Sequence, residues 1–190
     1  VAKVSKGVNA ASNQDLPDEV KASSSISITE HTFHDESSAH KFVMASISGY
    51  LQVRDDNALL TIAKQNKIVL QLLSEPGDFV VKETPIVKIW PQTGNKKIDK
   101  KINAAFITGI QRTLVQDVTF GINELVEVAV RTLSPAINDP FAAITCLHWI
   151  GSALCQICSR TFPKSKLYDE HGALRIIRRP VTFTSLADAS

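Results

Sequence analysis

Four polar side chains stand where the sequence interrupts its helical pattern, and they form the strongest candidate for a binding site. Arg112 and Asp117 belong to an irregular stretch, and Asn138 and Asp139 stand between two helical segments. A guanidinium offers a planar fork of donors, and the first turn of a helix offers unpaired N–H groups, so together they suit an anion or a partner carbonyl. The sequence therefore predicts a polar ligand-binding pocket at these four residues. The alternative is structural, because Asp139 before Pro140 is also a typical helix start.

No arrangement of residues points to a catalytic mechanism. The sequence has no G-x-S-x-G nucleophile elbow and no glycine-rich loop of the kind that binds phosphates. We therefore assign no catalytic residue, and a non-enzymatic role is favoured. An enzymatic or ligand-binding domain that uses the four-residue pocket is the alternative.

The cysteines do not have the pattern of a metal or redox site. Cys155-x-x-Cys158 stands at the end of an apolar segment, and the sequence has no second such pair. On a helix, His148 lies about 10 Å from Cys155 along the axis, too far for one zinc ion to bind both. We expect buried, unreactive thiols that stay reduced, which favours a cytosolic face.

A second group of potential metal ligands lies near the amino terminus. It comprises His31, His34 and His40, with Asp35 and Glu36 beside them. The spacing matches no zinc pattern, and the segment is irregular. The sequence therefore predicts no metal site and no cofactor.

The composition is that of a globular chain with a nearly balanced charge. Of 190 residues, 44% are hydrophobic and 21% are charged, with a net charge of +2, which excludes collagen-like, mucin-like and wholly disordered chains. Two stretches are basic, and solvent-facing surface is favoured over a site for phosphates at both. They comprise Lys96, Lys97, Lys100 and Lys101, and then Arg160, Lys164, Lys166, Arg175, Arg178 and Arg179. The balanced charge and the 6% of aromatic residues argue against nucleic-acid binding.

The first half of the chain is predicted to be β-rich. Residues 1–40 are polar and indicate a linker or irregular arm, and residues 41–95 indicate a small α+β unit. Within it, residues 41–54 form one bent strand or two strands that meet at Gly49. Asp55 and Asp56 are N-cap candidates for one helix. The Pro76-Gly77-Asp78 sequence predicts a type II turn within a hairpin.

The second half is predicted to be helical and to close with strands. From residue 96 to 163, apolar residues recur at helical spacing, including the stretch from Ile98 to Gly109. Residues 140–159 carry no Asp, Glu, Lys or Arg, and their polar side chains favour a buried core or interface helix over a membrane span. Residues 164–190 predict a β-hairpin around His171-Gly172 and the start of a further segment. The predicted fold class is α+β.

Five strings of residues resemble one family of predicted bacterial membrane proteins, domain of unknown function 2254. They are SGYLQV at 48–53, PGDFV at 76–80, RTLVQD at 112–117, FGINELVEVAVRTLSPAINDPF at 120–141 and AITCL at 143–147. The resemblance extends from about residue 48 to at least residue 147, and no recognised string lies in residues 1–40. It implies several transmembrane helices ahead of a soluble region, with no known activity, and this chain is similar to the soluble region.

The β-rich part also resembles a biotinyl or lipoyl hammerhead in its PGDFV turn and the TPIVKI that follows. The lysine that would carry the cofactor is missing from the turn, so no covalent cofactor is expected.

Together these observations predict a soluble domain of a multi-pass protein of the bacterial cell membrane, with its cytoplasmic face favoured. We expect a role in interaction, assembly or sensing next to the bilayer. The expected partners are the membrane, through segments outside this sequence, and a protein partner or a second copy, with no nucleic acid.

Overall fold

A computed structural model describes residues 39–182, which form an α+β fold. The predicted arm over residues 1–40, with His31 and His34, lies almost wholly outside the described residues, as do residues 183–190. The described chain divides into two compact units. We call residues 39–111 and 164–180 the mixed unit, and residues 112–163 with 181–182 the helix-pair unit.

The mixed unit contains two sheets and two helices. Its elements are β1 (Lys41–Met44), β2 (Gly49–Arg54), α1 (Asp56–Asn66), β3 (Val69–Leu72), β4 (Phe79–Val80), β5 (Pro85–Trp90), α2 (Lys96–Ala104), β6 (Phe106–Gly109), β7 (Lys166–Tyr168) and β8 (Leu174–Ile177). One sheet has the strand order β1-β5-β3-β8-β7 and the other β4-β2-β6. Of the pairs formed, β3 with β8 is parallel and the others are antiparallel.

The break between β1 and β2 occurs as two strands that meet near a glycine, one of the two predicted alternatives. β2 begins at Gly49, where a Cβ atom would lie 2.7 Å from the carbonyl oxygen of Gly109 on β6. A side chain would therefore clash with the neighbouring strand, and only glycine lets β2 and β6 approach here.

The ends of α1 follow the predicted local signals. The Asp55 carboxylate accepts a hydrogen bond from the N–H of Ala58 at 2.9 Å and so caps the helix. The helix ends at Asn66, and Lys67 takes the left-handed conformation, with φ 53°. The predicted stop at Asn66 is confirmed.

The turn predicted at Pro76-Gly77-Asp78 is present, with Gly77 at φ 98°, but the two strands next to it do not pair with each other. β3 and β4 belong to different sheets, and β3 pairs antiparallel with β5. The turn instead bonds to β2: the N–H of Gly77 donates to the Leu51 oxygen at 2.8 Å, and the N–H of Leu51 donates to the Asp78 oxygen at 2.9 Å. These two bonds direct the chain from one sheet into the other.

The helix predicted from Ile98 to Gly109 is confirmed in its first part and wrong in its second. α2 buries Ile98 and Ile102, but it ends at Ala104, and the next residues form β6. β6 pairs with β2, with Thr108 opposite Leu51. The apolar spacing continues past the helix, but the open edge of β2 supplies hydrogen-bond partners that a longer helix would leave unused.

The predicted closing hairpin is present as β7 and β8, and it belongs to the five-stranded sheet. Ile176 on β8 is fully buried in the core of the mixed unit. The side chain of Asp169 fixes the turn by accepting hydrogen bonds from the N–H groups of His171 at 3.0 Å and Ala173 at 2.9 Å. The end of the described chain therefore completes a sheet built from its beginning.

The helix-pair unit consists of α3 (Val118–Thr132) and α4 (Pro140–Cys158). Val118 and Ile122 near the start of α3 share a buried cluster with Ala153 and Ile157 near the end of α4. The two helices are therefore antiparallel. As predicted, Asp139 caps α4 and Pro140 occupies its first turn, with the carboxylate accepting from the N–H of Ala142 at 3.0 Å.

Candidate functional site

Arg112 and Asp117 form a tight ion pair at the start of α3. The Asp117 side chain is buried, and its Oδ2 accepts from Arg112 Nε at 2.8 Å and Nη2 at 2.6 Å. Its Oδ1 accepts from the N–H of Phe120 at 2.9 Å, so the same carboxylate caps the helix. The guanidinium also lies over the Phe120 ring, 4.9 Å from its centroid. Both carboxylate oxygens are thus bonded within the chain.

Asn138 and Asp139 lie in the loop after α3, and both are exposed. Asn138 has a φ of 48°, and its N–H donates to the Ser134 oxygen at 2.8 Å. The N–H of Asp139 donates to the Thr132 oxygen at 2.8 Å. This pair therefore ends one helix and begins the next.

The structure does not bring the four predicted site residues together. One pair precedes α3 and the other follows it, so the 15 residues of the helix separate them by about 22 Å at 1.5 Å per residue. Sequence spacing located the helix ends, but two ends of one helix cannot form one pocket. The predicted ligand-binding role stays a prediction, now for each pair separately.

A charged cluster in the mixed unit escaped sequence analysis. Arg54 is 6% exposed, and its Nε donates to Asp56 Oδ1 at 2.6 Å. Its Nη1 donates to Glu75 Oε2 at 2.5 Å and to the Ser74 oxygen at 3.2 Å. Arg178 on the segment after β8 donates from Nη1 to the same Asp56 carboxylate. Because its members are 2 to 122 residues apart in sequence, no local pattern could have revealed the cluster.

The charges of this cluster balance, with two guanidinium groups against two carboxylates. Burial lowers the pKa of Arg54, but hydrogen bonds and charge attraction from Asp56 and Glu75 outweigh it and leave that pKa above its ordinary value. Arg54 is therefore a permanent cation that holds β2, α1 and the turn before β4 together. The cluster is structural, since its donors already have partners within the chain.

The two basic stretches differ in the structure. The arginines of the second stretch are engaged: Arg175 Nε donates to Asp169 at 2.8 Å, and Arg179 Nη2 lies 3.9 Å from Asp78. The lysines of the first stretch lie on the exposed side of α2: Lys96, Lys97, Lys100 and Lys101. Three arginines of the second stretch thus form ion pairs within the fold, and the first stretch is solvent-facing surface.

Of the two roles expected for α4, a buried core helix or an interface helix, the first is wrong. Its buried residues are Ala143, Cys146, Ala153 and Ile157. Large apolar side chains on its other sides are exposed, with Phe141 at 79%, Leu147 at 59% and Ile144 at 46%. By length and composition, α4 is long and apolar enough to cross a membrane. Only 22% of its most apolar 18 residues are buried in the protein. α3 covers one side of α4, and the role as an interface helix stays a prediction.

The expectation of buried thiols holds for Cys146 and is wrong for the other two cysteines. Cys155 and Cys158 are free and exposed on α4. Across residues 39–182, no group of three or more His, Cys, Asp or Glu side chains is arranged to hold a metal ion. A cavity of about 10 Å³ in the mixed unit, beside Leu51, Val80 and Phe106, is the size of a single water rather than of a small-molecule site.

The fold and these surfaces define an α+β domain with an uncovered apolar helix. The family described as "Predicted membrane protein (DUF2254)" matches residues 1–190, so the chain belongs to this family. Uncharacterised proteins of Mycobacterium bovis and Mycobacterium tuberculosis are similar to it, at 30% identity over 137 residues. The match covers 70% of this chain and 26% of each relative, so the chain spans about a quarter of their length. No solved structure matches the chain.

Proposed function

We propose that the chain is a soluble domain of a multi-pass bacterial membrane protein and that it serves interaction or assembly next to the bilayer. The observation that carries the proposal is the uncovered side of α4, where Phe141, Ile144 and Leu147 are exposed. Contiguous apolar surface of this kind is typical of protein–protein or membrane contacts. The family description as a predicted membrane protein supports the setting.

The neighbouring helix argues for a position outside the hydrocarbon core. α3 packs along α4 and carries Glu124, Glu127 and Arg131. Glu127 and Arg131 form an ion pair at 2.5 Å whose side chains are both about two-thirds exposed. Moving the helix pair into hydrocarbon would remove these charges from water at high cost. The apolar side of α4 is therefore proposed to face protein.

The proposed location is the cytoplasmic face. Cys155 and Cys158 are exposed free thiols, which suit a reducing compartment.

The test is labelling of the full-length protein in membranes with a membrane-impermeant maleimide. All native cysteines are replaced by serine beforehand, and one reporter thiol is introduced by Lys100→Cys on the exposed side of α2. Labelling of this thiol is expected in inverted vesicles and not in intact cells. The matched control is the protein without cysteines, which should label in neither. Labelling in intact cells contradicts the cytoplasmic face, and labelling in neither preparation contradicts a domain outside the bilayer.

A further inference from the structure

We propose that two copies of the chain pair through α4, with the two helices antiparallel. This rests on the proposed function and names the partner of the uncovered apolar side of α4. The pairing places the start of α4 in one copy against its end in the other. A two-fold axis then passes near the middle of the helix, and both copies use the same surface.

Six exposed residues of α4 form a continuous seam along the helix. Their spacing alternates between three and four residues, the repeat by which two helices pack along their length. They occupy a sector of about 100° on the side away from α3, at 100° per residue. The seam comprises Phe141, Ile144, His148, Gly151, Cys155 and Cys158.

Side-chain size differs between the two halves of this seam, and this selects the antiparallel arrangement. Large side chains occupy the first half of the seam and small ones the second half. Antiparallel pairing places Phe141 opposite Cys158 of the second copy, and Ile144 opposite Cys155 of the second copy. A large side chain then faces a small one in every layer, as close packing requires. Parallel pairing would place large side chains against each other at one end of the helices and leave gaps at the other end.

The central layer gives a reason for the glycine in the middle of the helix. Antiparallel pairing places His148 opposite Gly151 of the second copy. A Cβ atom at Gly151 would meet nothing within 4 Å in the single chain. Glycine is the least favourable residue in an exposed helix apart from proline, and packing within one copy does not require it. Space for the imidazole ring of a second copy does require it.

Charge also permits this pairing. Residues 140–158 carry no Asp, Glu, Lys or Arg, so no like charges oppose each other across the seam. Two antiparallel helices align their dipoles in opposite directions, which is the favourable arrangement. One helix pair buries less surface than a standard stable interface, and the tethering of both copies to one membrane raises their effective concentration.

The test uses disulfide cross-linking of the full-length protein in its membrane under mild copper-catalysed oxidation. All cysteines but Cys155 are replaced by serine, and Ile144→Cys is then added. A cross-linked dimer is expected when both thiols are present. With Cys155 alone, two copies of the same thiol stand about 16 Å apart along the axis, beyond the reach of a disulfide, so no dimer is expected. Ile144→Cys in a Cys155→Ser background should also give none.

Each other outcome overturns the pairing. A dimer from Cys155 alone indicates a parallel seam, and no dimer from the two-thiol variant excludes pairing through α4. The maleimide labelling above separates this failure from failure of the proposed function. If the Lys100→Cys reporter labels in inverted vesicles while the two-thiol variant never cross-links, the domain lies at the membrane with a different partner.

A second variant tests the central layer without disturbing a single copy. Gly151→Leu fills space that is open in one chain, and it removes the room for His148 of the second copy. Overpacking of this kind should lower the cross-linking yield of the two-thiol protein by about tenfold. The thermal unfolding midpoint should not fall, since leucine is a better helix former than glycine. An unchanged yield contradicts the proposed register.

Discussion

The mixed unit and the helix-pair unit bury their apolar residues to very different degrees. Among the described residues, the core cluster of the mixed unit contains sixteen buried apolar residues, and that of the helix-pair unit contains four. Large apolar side chains stay in solvent in both units: Ile110 and Phe79 in the mixed unit, and Phe141 and Leu147 on α4. The two units therefore differ in the size of the buried core. In the helix-pair unit, α4 carries the surface that is proposed to bind a partner.

The two units also differ in how far their charged groups are buried. In the mixed unit, the buried Arg54 joins segments that are distant in sequence, through carboxylates that are partly shielded from water. In the helix-pair unit, Arg112 and Asp117 act within one helix start, and Arg131 and Glu127 form an exposed pair. Removing a charge should therefore matter most in the mixed unit.

The largest effect is expected from Arg54→Ala, which leaves Asp56 and Glu75 without their buried cation. Breaking a buried ion pair from one side costs about 3–5 kcal/mol of unfolding free energy. Urea unfolding followed by far-ultraviolet circular dichroism measures the loss. The matched control, Arg131→Ala, removes an exposed pair worth about 0.5 kcal/mol or less. Similar losses for the two variants would remove the distinction between the units.

Asp117→Ala should cost more than Asp139→Ala, although both aspartates cap a helix. Loss of an exposed N-cap such as Asp139 costs about 1 kcal/mol. Asp117 is buried and also holds Arg112, so its loss should cost about 2 kcal/mol. Asp117→Asn keeps a capping oxygen but loses the charge, and an intermediate midpoint in urea is expected. Equal costs at the two caps would mean that the Arg112 contact contributes nothing.

Asn138 separates a backbone role from a binding role. Because its φ is 48°, Asn138→Ala should lower the unfolding free energy by about 1 kcal/mol. Asn138→Gly should leave it unchanged, since glycine accepts this conformation. Thermal unfolding of both variants measures the effect. The glycine variant is also the one to test in cells, because a loss of function at unchanged stability would support the predicted ligand-binding role of the side chain.

The closing hairpin should weaken in acid. A hydrogen bond from the N–H of Ala173 holds the pKa of Asp169 below its ordinary value. Burial acts in the opposite direction, whereas Arg175 and the N–H of His171 lower the pKa further. The carboxylate therefore stabilises the fold fully above its ordinary pKa of about 3.9, and this stability is lost as the pH falls through the lower folded pKa. Unfolding free energies between neutral pH and pH 2 should show this loss. Asp169→Asn should flatten the acid side of the curve, and an identical acid slope would contradict the assignment.

Local features of the fold were predictable because their causes lie within a few residues. The caps at Asp55 and Asp139 and the stop at Asn66 each depend on a side chain or backbone conformation next to the helix end. The break at Gly49 was predicted for the same kind of reason. The α+β class followed from the change of apolar period along the chain.

Features that depend on distant partners were not predictable. β4 and β6 pair with β2 rather than with the strands nearest in sequence, and Arg178 reaches Asp56 across 122 residues. The four residues of the predicted pocket do not come together, for a related reason. Sequence spacing placed Arg112 and Asn138 at helix ends, but it could not show that a whole helix separates them. Likewise, the uncharged sequence of α4 does not indicate how much of the helix surface another helix covers.

The mixed unit is interrupted in sequence by the helix-pair unit, and this sets an order of events during synthesis. β1 to β6 leave the ribosome first, but β3 gains its parallel neighbour β8 after residues 112–163 have been made. At about 5–20 residues per second, that interval lasts several seconds. During it the apolar edge of β3 stays open to other chains. Timely completion of this sheet therefore depends on how quickly translation passes through the helix pair, so pausing there should increase aggregation of the nascent protein.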